Sequence, residues 1–212
     1  MVKIAPSLVA TSILDLPRTI KRLEAVNTDY LHFDIEDGSF VREMNLGIKI
    51  IKDVRKFTSL PFDVHLMMVD PEWIIPELAN IGIDLLSFHF EATRYPRRVL
   101  RIITEAGMRA GLAFNPKTCI PDLNLFSPYL YFVNILTTEP ELGGGVLLSD
   151  ALEKVTFIKE NFKYIICEVD GGITSDNYQM VRDSGADIIV SGRGIFSNAD
   201  FEENISQFRK SQ

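Results

Sequence analysis

Four short segments of this chain set two chemically capable side chains two residues apart on an apolar run. They are His32-Phe33-Asp34, Asp63-Val64-His65, His89-Phe90-Glu91 and Glu168-Val169-Asp170, and they hold all three histidines of the sequence. In an extended strand, residues i and i+2 project to the same face. Carboxylates and imidazoles drawn from several strands can hold a divalent metal ion or move protons. The set His32, Asp34, His65 and Asp170 offers two imidazoles and two carboxylates, a donor mixture that suits Zn²⁺, Fe²⁺, Mn²⁺ or Co²⁺. Taken singly, a strand histidine is ordinarily a satisfied core residue, and an aspartate at a strand end ordinarily caps the next helix. Four of them at neighbouring strand tips fit that reading poorly, because burying a charge without a partner is expensive.

The elements that must position them follow from the hydrophobic pattern. Short apolar runs at 3–8, 30–35, 62–67, 85–90, 110–115, 129–136, 164–169 and 187–191 show little alternation, as strands buried on both faces do. Helix-like stretches lie between them. One opens at Asp15-Leu16-Pro17 with Ile20, Leu23 and Val26 at helical spacing, and others cover 46–57, 71–81, 95–106, 149–161, 174–184 and 200–210. The stretch 121–126 is short, and Ser149-Asp150 reads as a helix cap. Strands alternating with helices indicate an α/β fold, and this count at this length predicts a single-domain (β/α)8 barrel over 1–212, with a doubly wound open sheet as the alternative. Barrel active sites sit at the carboxyl ends of the strands, where these polar residues fall.

Glycine-rich segments follow three consecutive strands: Gly143-Gly144-Gly145, Gly171-Gly172 and Gly192-Arg193-Gly194. Loops of this kind bind phosphate through backbone N–H groups, although any one of them is also an ordinary turn. Ser7, after Pro6, could bond a substrate oxygen or simply cap a turn. Met67 and Met68 read as core filler, Asn115-Pro116 as a turn, and Glu36 and Asp37 as solvated loop acids.

Composition narrows the classes. An apolar content of 46% over 212 residues supports a sizeable core, and no apolar run is long enough to span a membrane. The N-terminal Met1-Val2-Lys3-Ile4 reads as a strand rather than a signal peptide. A net charge of −7 argues against nucleic acid as a partner but leaves room for a small anion held by a backbone nest. Cys119 and Cys167 give no disulfide framework and read as reduced, mostly buried thiols of a cytoplasmic protein.

At these residues the chain resembles the ribulose-phosphate 3-epimerase family. The matching stretches are Ala5-Pro6-Ser7, His32 to Ile35 with Asp37-Gly38, Asp63-Val64-His65-Leu66-Met67, His89-Phe90-Glu91-Ala92, Asn115-Pro116, Glu168 to Ile173, and Gly185-Ala186-Asp187 through Gly192 to Ile195-Phe196. The resemblance implies a barrel enzyme that inverts C3 of D-ribulose 5-phosphate to give D-xylulose 5-phosphate, a step of the pentose phosphate pathway. It implies one divalent ion (Zn, Fe, Mn or Co) on His32, Asp34, His65 and Asp170, with Asp34 and Asp170 as the acid/base pair acting through a metal-stabilised enediolate. Ser7 and His65 would contact substrate and Met67 would line the pocket. Phosphate would fall to Gly143, Gly144, Gly171, Gly172, Gly192 and Arg193, the last where the family usually has serine. A homo-oligomer, dimer or hexamer, is also implied.

The chain departs from that pattern at the walls. Glu36 stands where the family has a pocket methionine, Arg42-Glu43 where it has Pro-Asn, and the segment after strand six lacks the lid phenylalanine and glutamine. These changes point to a 3-epimerase for another ketose phosphate, such as the hexulose phosphate allulose 6-phosphate, or to a non-catalytic sugar-phosphate-binding protein on the same scaffold. A decarboxylase or aldol-type barrel ranks lower, since Asp34-Ile35-Glu36-Asp37 lacks the lysine of the Asp-x-Lys-x-x-Asp motif.

Overall fold

The computed structural model describes residues 2–139, 145–198 and 200–210. Among them run eight strands: β1 (Lys3–Pro6), β2 (Leu31–Glu36), β3 (Phe62–Met67), β4 (Leu85–His89), β5 (Arg109–Phe114), β6 (Leu130–Leu136), β7 (Ile166–Asp170) and β8 (Ile188–Ser191). From β2 to β8 each strand is the parallel neighbour of the next, and β8 pairs with β1. The last seam, between β1 and β2, is a single parallel bridge joining Ser7 to His32. The sheet therefore curls into the expected (β/α)8 barrel and not into an open doubly wound sheet.

Among the described residues eight helices occupy the outside: α1 (Leu16–Ala25), α2 (Ile48–Val54), α3 (Ile75–Ile81), α4 (Pro96–Glu105), α5 (Leu152–Asn161), α6 (Tyr178–Asp183), α7 (Arg193–Phe196) and α8 (Phe201–Lys210). Outward strand residues such as Phe33, Phe62 and Leu112 pack with Ile20, Leu78 and Val99 of the helices in one continuous core. Each such side chain contributes about 1.5–3 kcal/mol on leaving water. That two-sided burial is why the strands read as unbroken apolar runs.

Several helices differ from the expectation at their starts. In the stretch 174–184 the regular helix starts at Tyr178; ahead of it lies a turn in which Thr174 O accepts from Tyr178 N at 3.0 Å, braced by the Asn177 amide, which accepts from Thr174 N at 2.8 Å and donates to Gly172 O at 2.9 Å. The stretches 71–81 and 149–161 each begin with a short 3₁₀ turn, and Ser149 makes no capping bond to the backbone. The helix expected over 46–57 is only Ile48–Val54.

The barrel interior is layered. Ala5, Tyr30, Leu85, Phe132, Ile188 and Val190 form an apolar floor at the amino end. Phe132 fits there because its partner in register on β5 is Gly111, where a Cβ would collide with the Phe132 ring. Above this floor the inward side chains become polar. No helix among the described residues is long and apolar enough to cross a membrane. Both cysteines are free thiols; Cys167 is buried as expected, whereas Cys119 is exposed in the turn after β5.

Candidate active site

His32, Asp34 and Glu36 share the inner face of β2, and Asp63, His65 and Met67 that of β3. The register sets His32 opposite Asp63, Asp34 opposite His65 and Glu36 opposite Met67. The same i, i+2 pair thus occurs in reversed order on adjacent strands, so an imidazole meets a carboxylate at both levels. β7 adds Glu168 below and Asp170 above, its last two inward residues.

At the upper level four ligand atoms converge. His32 Nε2 lies 3.1 Å from Asp34 Oδ1 and 3.7 Å from Asp170 Oδ2, and His65 Nδ1 lies 3.5 and 3.4 Å from the same two oxygens. Donor atoms of His32, Asp34, His65 and Asp170 all fall within 4.8 Å of one another. The structure thus brings together the four residues singled out as ligands. The second oxygen of Asp34, Oδ2, accepts a hydrogen bond from Ser7 Oγ at 2.8 Å.

The lower level contains residues to which the sequence reading assigned no role. His32 Nδ1 stands 2.6 Å from Asp63 Oδ2, and His32, Asp63 and Glu168 are all fully buried. Glu168 and its neighbour in register, Asn134, have no hydrogen-bond partner for their side-chain polar atoms among the described residues. Burial, followed by the charge of Asp63, pushes the Glu168 carboxyl well above the usual range. The available signal was the pairing itself, since Asp63 and Glu168 are the i−2 partners of His65 and Asp170.

At the upper level the imidazoles and carboxylates hold one another in their charged forms. Burial works against charge on both histidines, but Asp34 and Asp63 hold His32 well above its ordinary value, and Asp170 and Asp34 hold His65 up at about 9. Burial likewise opposes ionisation of Asp34, yet His32 and His65 keep its carboxyl well below the usual range. Each group favours charge through the others, which is how a ligand set behaves when its positive centre is supplied by protons.

Two observations test the fit of a metal ion. His65 Nδ1 is buried and has no hydrogen-bond partner among the described residues, although it points at two carboxylate oxygens. His32 Nδ1, by contrast, is engaged by Asp63, which leaves Nε2 facing Asp34 and Asp170. A carboxylate behind a ligating imidazole is the usual support of a metal site. The donor set and its orientation therefore fit a divalent cation.

The other expected residues surround this centre. Met67 is buried at the end of β3 beside Glu36. Glu36 is not a solvated loop acid: it closes β2, its Oε2 is buried without a hydrogen-bond partner among the described residues, and burial with the charges of Asp34 and Glu43 raises its carboxyl to about 7. Asp37 anchors the loop after β2 by accepting from the backbone N–H groups of Ser39, Phe40 and Val69. Gly171 and Gly172 follow Asp170 with φ of +114° and +68°, and a Cβ on Gly172 would run into the backbone of Val146 and Leu147. Gly192 precedes α7, and the exposed Arg193 donates to Gly145 O at 2.6 Å, tying the loop after β6 to that after β8. Gly143 and Gly144 lie outside the described residues.

His89 and Glu91 complete the surroundings. His89 Nε2 is 2.9 Å from His65 Nε2, and His89 Nδ1 is 3.3 Å from Glu91 Oε2. Glu91 Oε1 accepts from Asn115 N at 3.0 Å and from the Thr118 hydroxyl.

Comparison with known proteins agrees with this arrangement. The model of the Ribulose-phosphate 3 epimerase family matches residues 3–196. Ribulose-phosphate 3-epimerase of Bacillus subtilis is 34% identical over 217 residues, covering 100% of both chains. That of Schizosaccharomyces pombe is 35% identical, covering 99% of this chain and 93% of its own. Among solved structures, KGPDC from Streptococcus mutans superposes with a TM-score of 0.72 over 100% of this chain and 97% of its own, but at 12% identity it speaks for the barrel alone. With a family match across nearly the whole chain and full-length relatives above 30% identity, this barrel belongs to the ribulose-phosphate 3-epimerase family and is an isomerase.

Proposed function

We propose that the chain is a metal-dependent 3-epimerase of a ketose phosphate, interconverting D-ribulose 5-phosphate and D-xylulose 5-phosphate or a related pair. The observation that carries this is the approach of Asp34 and Asp170, from β2 and β7, to one unpartnered imidazole nitrogen, His65 Nδ1. In barrel order β1 and β8 separate those two strands, so the carboxylates reach the centre from different sides.

Inverting a carbon next to a ketone requires a proton to leave from one face and another to arrive on the opposite face. One carboxylate takes the C3 proton as base, the other delivers as acid, and the roles exchange in the reverse direction. Ser7, bonded to Asp34 Oδ2, steadies that carboxyl and faces the substrate. A divalent cation on His32, Asp34, His65 and Asp170 would stabilise the negative charge that develops on the substrate oxygens. Met67 forms part of the wall. Gly143, Gly144, Gly171, Gly172, Gly192 and Arg193 receive the phosphate, whose binding energy fixes the sugar in place.

The buried, unpartnered Oε2 of Glu36 favours a second reading of the substrate, a hexulose 6-phosphate such as allulose 6-phosphate. An acceptor in the wall is suited to a hydroxyl that a shorter sugar does not place there. A non-catalytic sugar-phosphate-binding role has no use for two opposed carboxylates.

The test is incubation of metal-loaded protein with a panel of ketose phosphates in deuterated water. Deuterium should enter C3 and the epimer should accumulate with at least one of them. Asp34→Asn and Asp170→Asn should each lower turnover by about 10²–10⁴-fold. No exchange at C3 with any ketose phosphate would overturn the reading.

A further inference from the structure

We propose that His89, backed by Glu91, is a positioning residue that dictates which nitrogen of His65 presents a lone pair to the ligand cluster. The inference rests on the metal reading of that site and adds a chain of hydrogen bonds running from the loop after β5 to its centre.

A neutral imidazole carries one N–H and one lone pair, and only the lone pair can bind a metal. For His65 the useful nitrogen is Nδ1, which faces Asp34 Oδ1 and Asp170 Oδ2. Its other nitrogen, Nε2, is 2.9 Å from His89 Nε2, with the ring planes 29° apart. Two imidazoles meeting nitrogen to nitrogen at this distance share a single proton when both are neutral, so whichever ring donates there determines what the opposite nitrogen of each can do.

The rest of the chain of contacts fixes the donor. His89 Nδ1 lies 3.3 Å from Glu91 Oε2. An ionised carboxylate only accepts, so the His89 proton sits on Nδ1 and its Nε2 is the acceptor. His65 must then donate from Nε2, which leaves Nδ1 bare toward the cluster. Glu91 is itself held by Asn115 N and the Thr118 hydroxyl. The Phe40 ring packs on His89 at 4.5 Å between centroids, and His89 is shut off from solvent. The competing state, a charged His89 donating to His65 Nε2, would turn an N–H toward the cluster and spoil His65 as a ligand. Burial opposes it, because a charged ring here, shut off from solvent beside His65, would be costly.

The two ligating imidazoles are therefore steadied differently. His32 leans on a carboxylate, Asp63, whereas His65 leans on a neutral ring. Replacing the neutral ring by a side chain that cannot accept leaves His65 free to adopt the wrong tautomer.

The experiment has two arms on the full chain. Zn²⁺ affinity is measured by chelator competition for wild type, His89→Leu and His89→Gln, with thermal melts confirming that each folds. The leucine variant should bind about 10–100-fold more weakly, while glutamine, whose carbonyl can accept from His65 Nε2, should recover most of the loss. Equal affinity of the leucine variant and wild type, or equal losses in both variants, would overturn the assignment. In the second arm, nitrogen-15 spectra of metal-free wild type at alkaline pH read the tautomers directly. His65 protonated on Nε2 with His89 on Nδ1 supports the relay, and His89 protonated on Nε2 overturns it. Wild type that shows these tautomers but binds no Zn²⁺ would refute the metal reading and leave the relay standing.

Discussion

His32 Nδ1 and Asp63 Oδ2 are 2.6 Å apart at a depth where neither side chain touches solvent. The contact fixes the His32 ring with its other nitrogen aimed at Asp34 and Asp170. Asp63 sits one layer below the cluster and orients one of its imidazoles. Changing Asp63→Asn keeps the shape and removes the anion behind the imidazole. Metal affinity measured against a chelator should fall by about 10–100-fold while the melting curve stays cooperative.

Glu36 is the natural place to look for substrate choice. Its carboxyl is pinned between burial and the charges of Asp34 and Glu43, next to Met67. In Glu36→Met the ratio of kcat/KM for D-ribulose 5-phosphate over a hexulose 6-phosphate should rise by about 10-fold or more, because a wall built to accept a hydroxyl discriminates strongly against a sugar that lacks one. An unchanged ratio would remove Glu36 from specificity.

The two thiols should behave as opposites. Cys119 is exposed and Cys167 buried. A thiol reagent under native conditions should consume one equivalent rapidly and the second only on unfolding. Burial pushes the Cys167 thiol from 9.0 to about 12. The native state therefore holds this proton more tightly than the unfolded chain. Stability is lost as pH rises between those two values, by about 1.4 kcal/mol per pH unit from this group. Denaturant titrations of wild type and Cys167→Ala should show the steeper alkaline decline only in wild type.

Gly111 should tolerate no side chain. A Cβ there strikes the Phe132 ring, which is buried in the barrel floor with nowhere to retreat. Gly111→Ala should cost about 1–3 kcal/mol, read as a lower urea midpoint with unchanged slope. Gly111→Ala combined with Phe132→Leu should recover part of that loss.

The strands and the barrel were legible because two-sided burial writes itself into the sequence as short apolar runs, and the four converging side chains of the upper level because residues at i and i+2 must share a face. The depth of each residue was not legible. Asp63-Val64-His65 and His32-Phe33-Asp34 look like equivalent pairs until the register opposes them head to tail, and register is a relation between strands far apart in the chain. At Thr174 the expected helix start lies in a turn braced by the Asn177 side chain, and the regular helix begins at Tyr178, an end effect that spacing alone does not resolve. Glu36 was misplaced as a loop acid because the composition of its neighbours gives no hint that β2 extends one residue into the pocket. Gly143 and Gly144, expected at the phosphate, lie outside the described residues.

Phe132 and its companions stopper the amino end of the barrel. An ion and a sugar bound in this barrel would then share the doorway at the opposite end. A bound ketose phosphate would sit across that doorway, so substrate should slow the stripping of metal by a chelator, and exchange of the ion should be fastest in the resting enzyme.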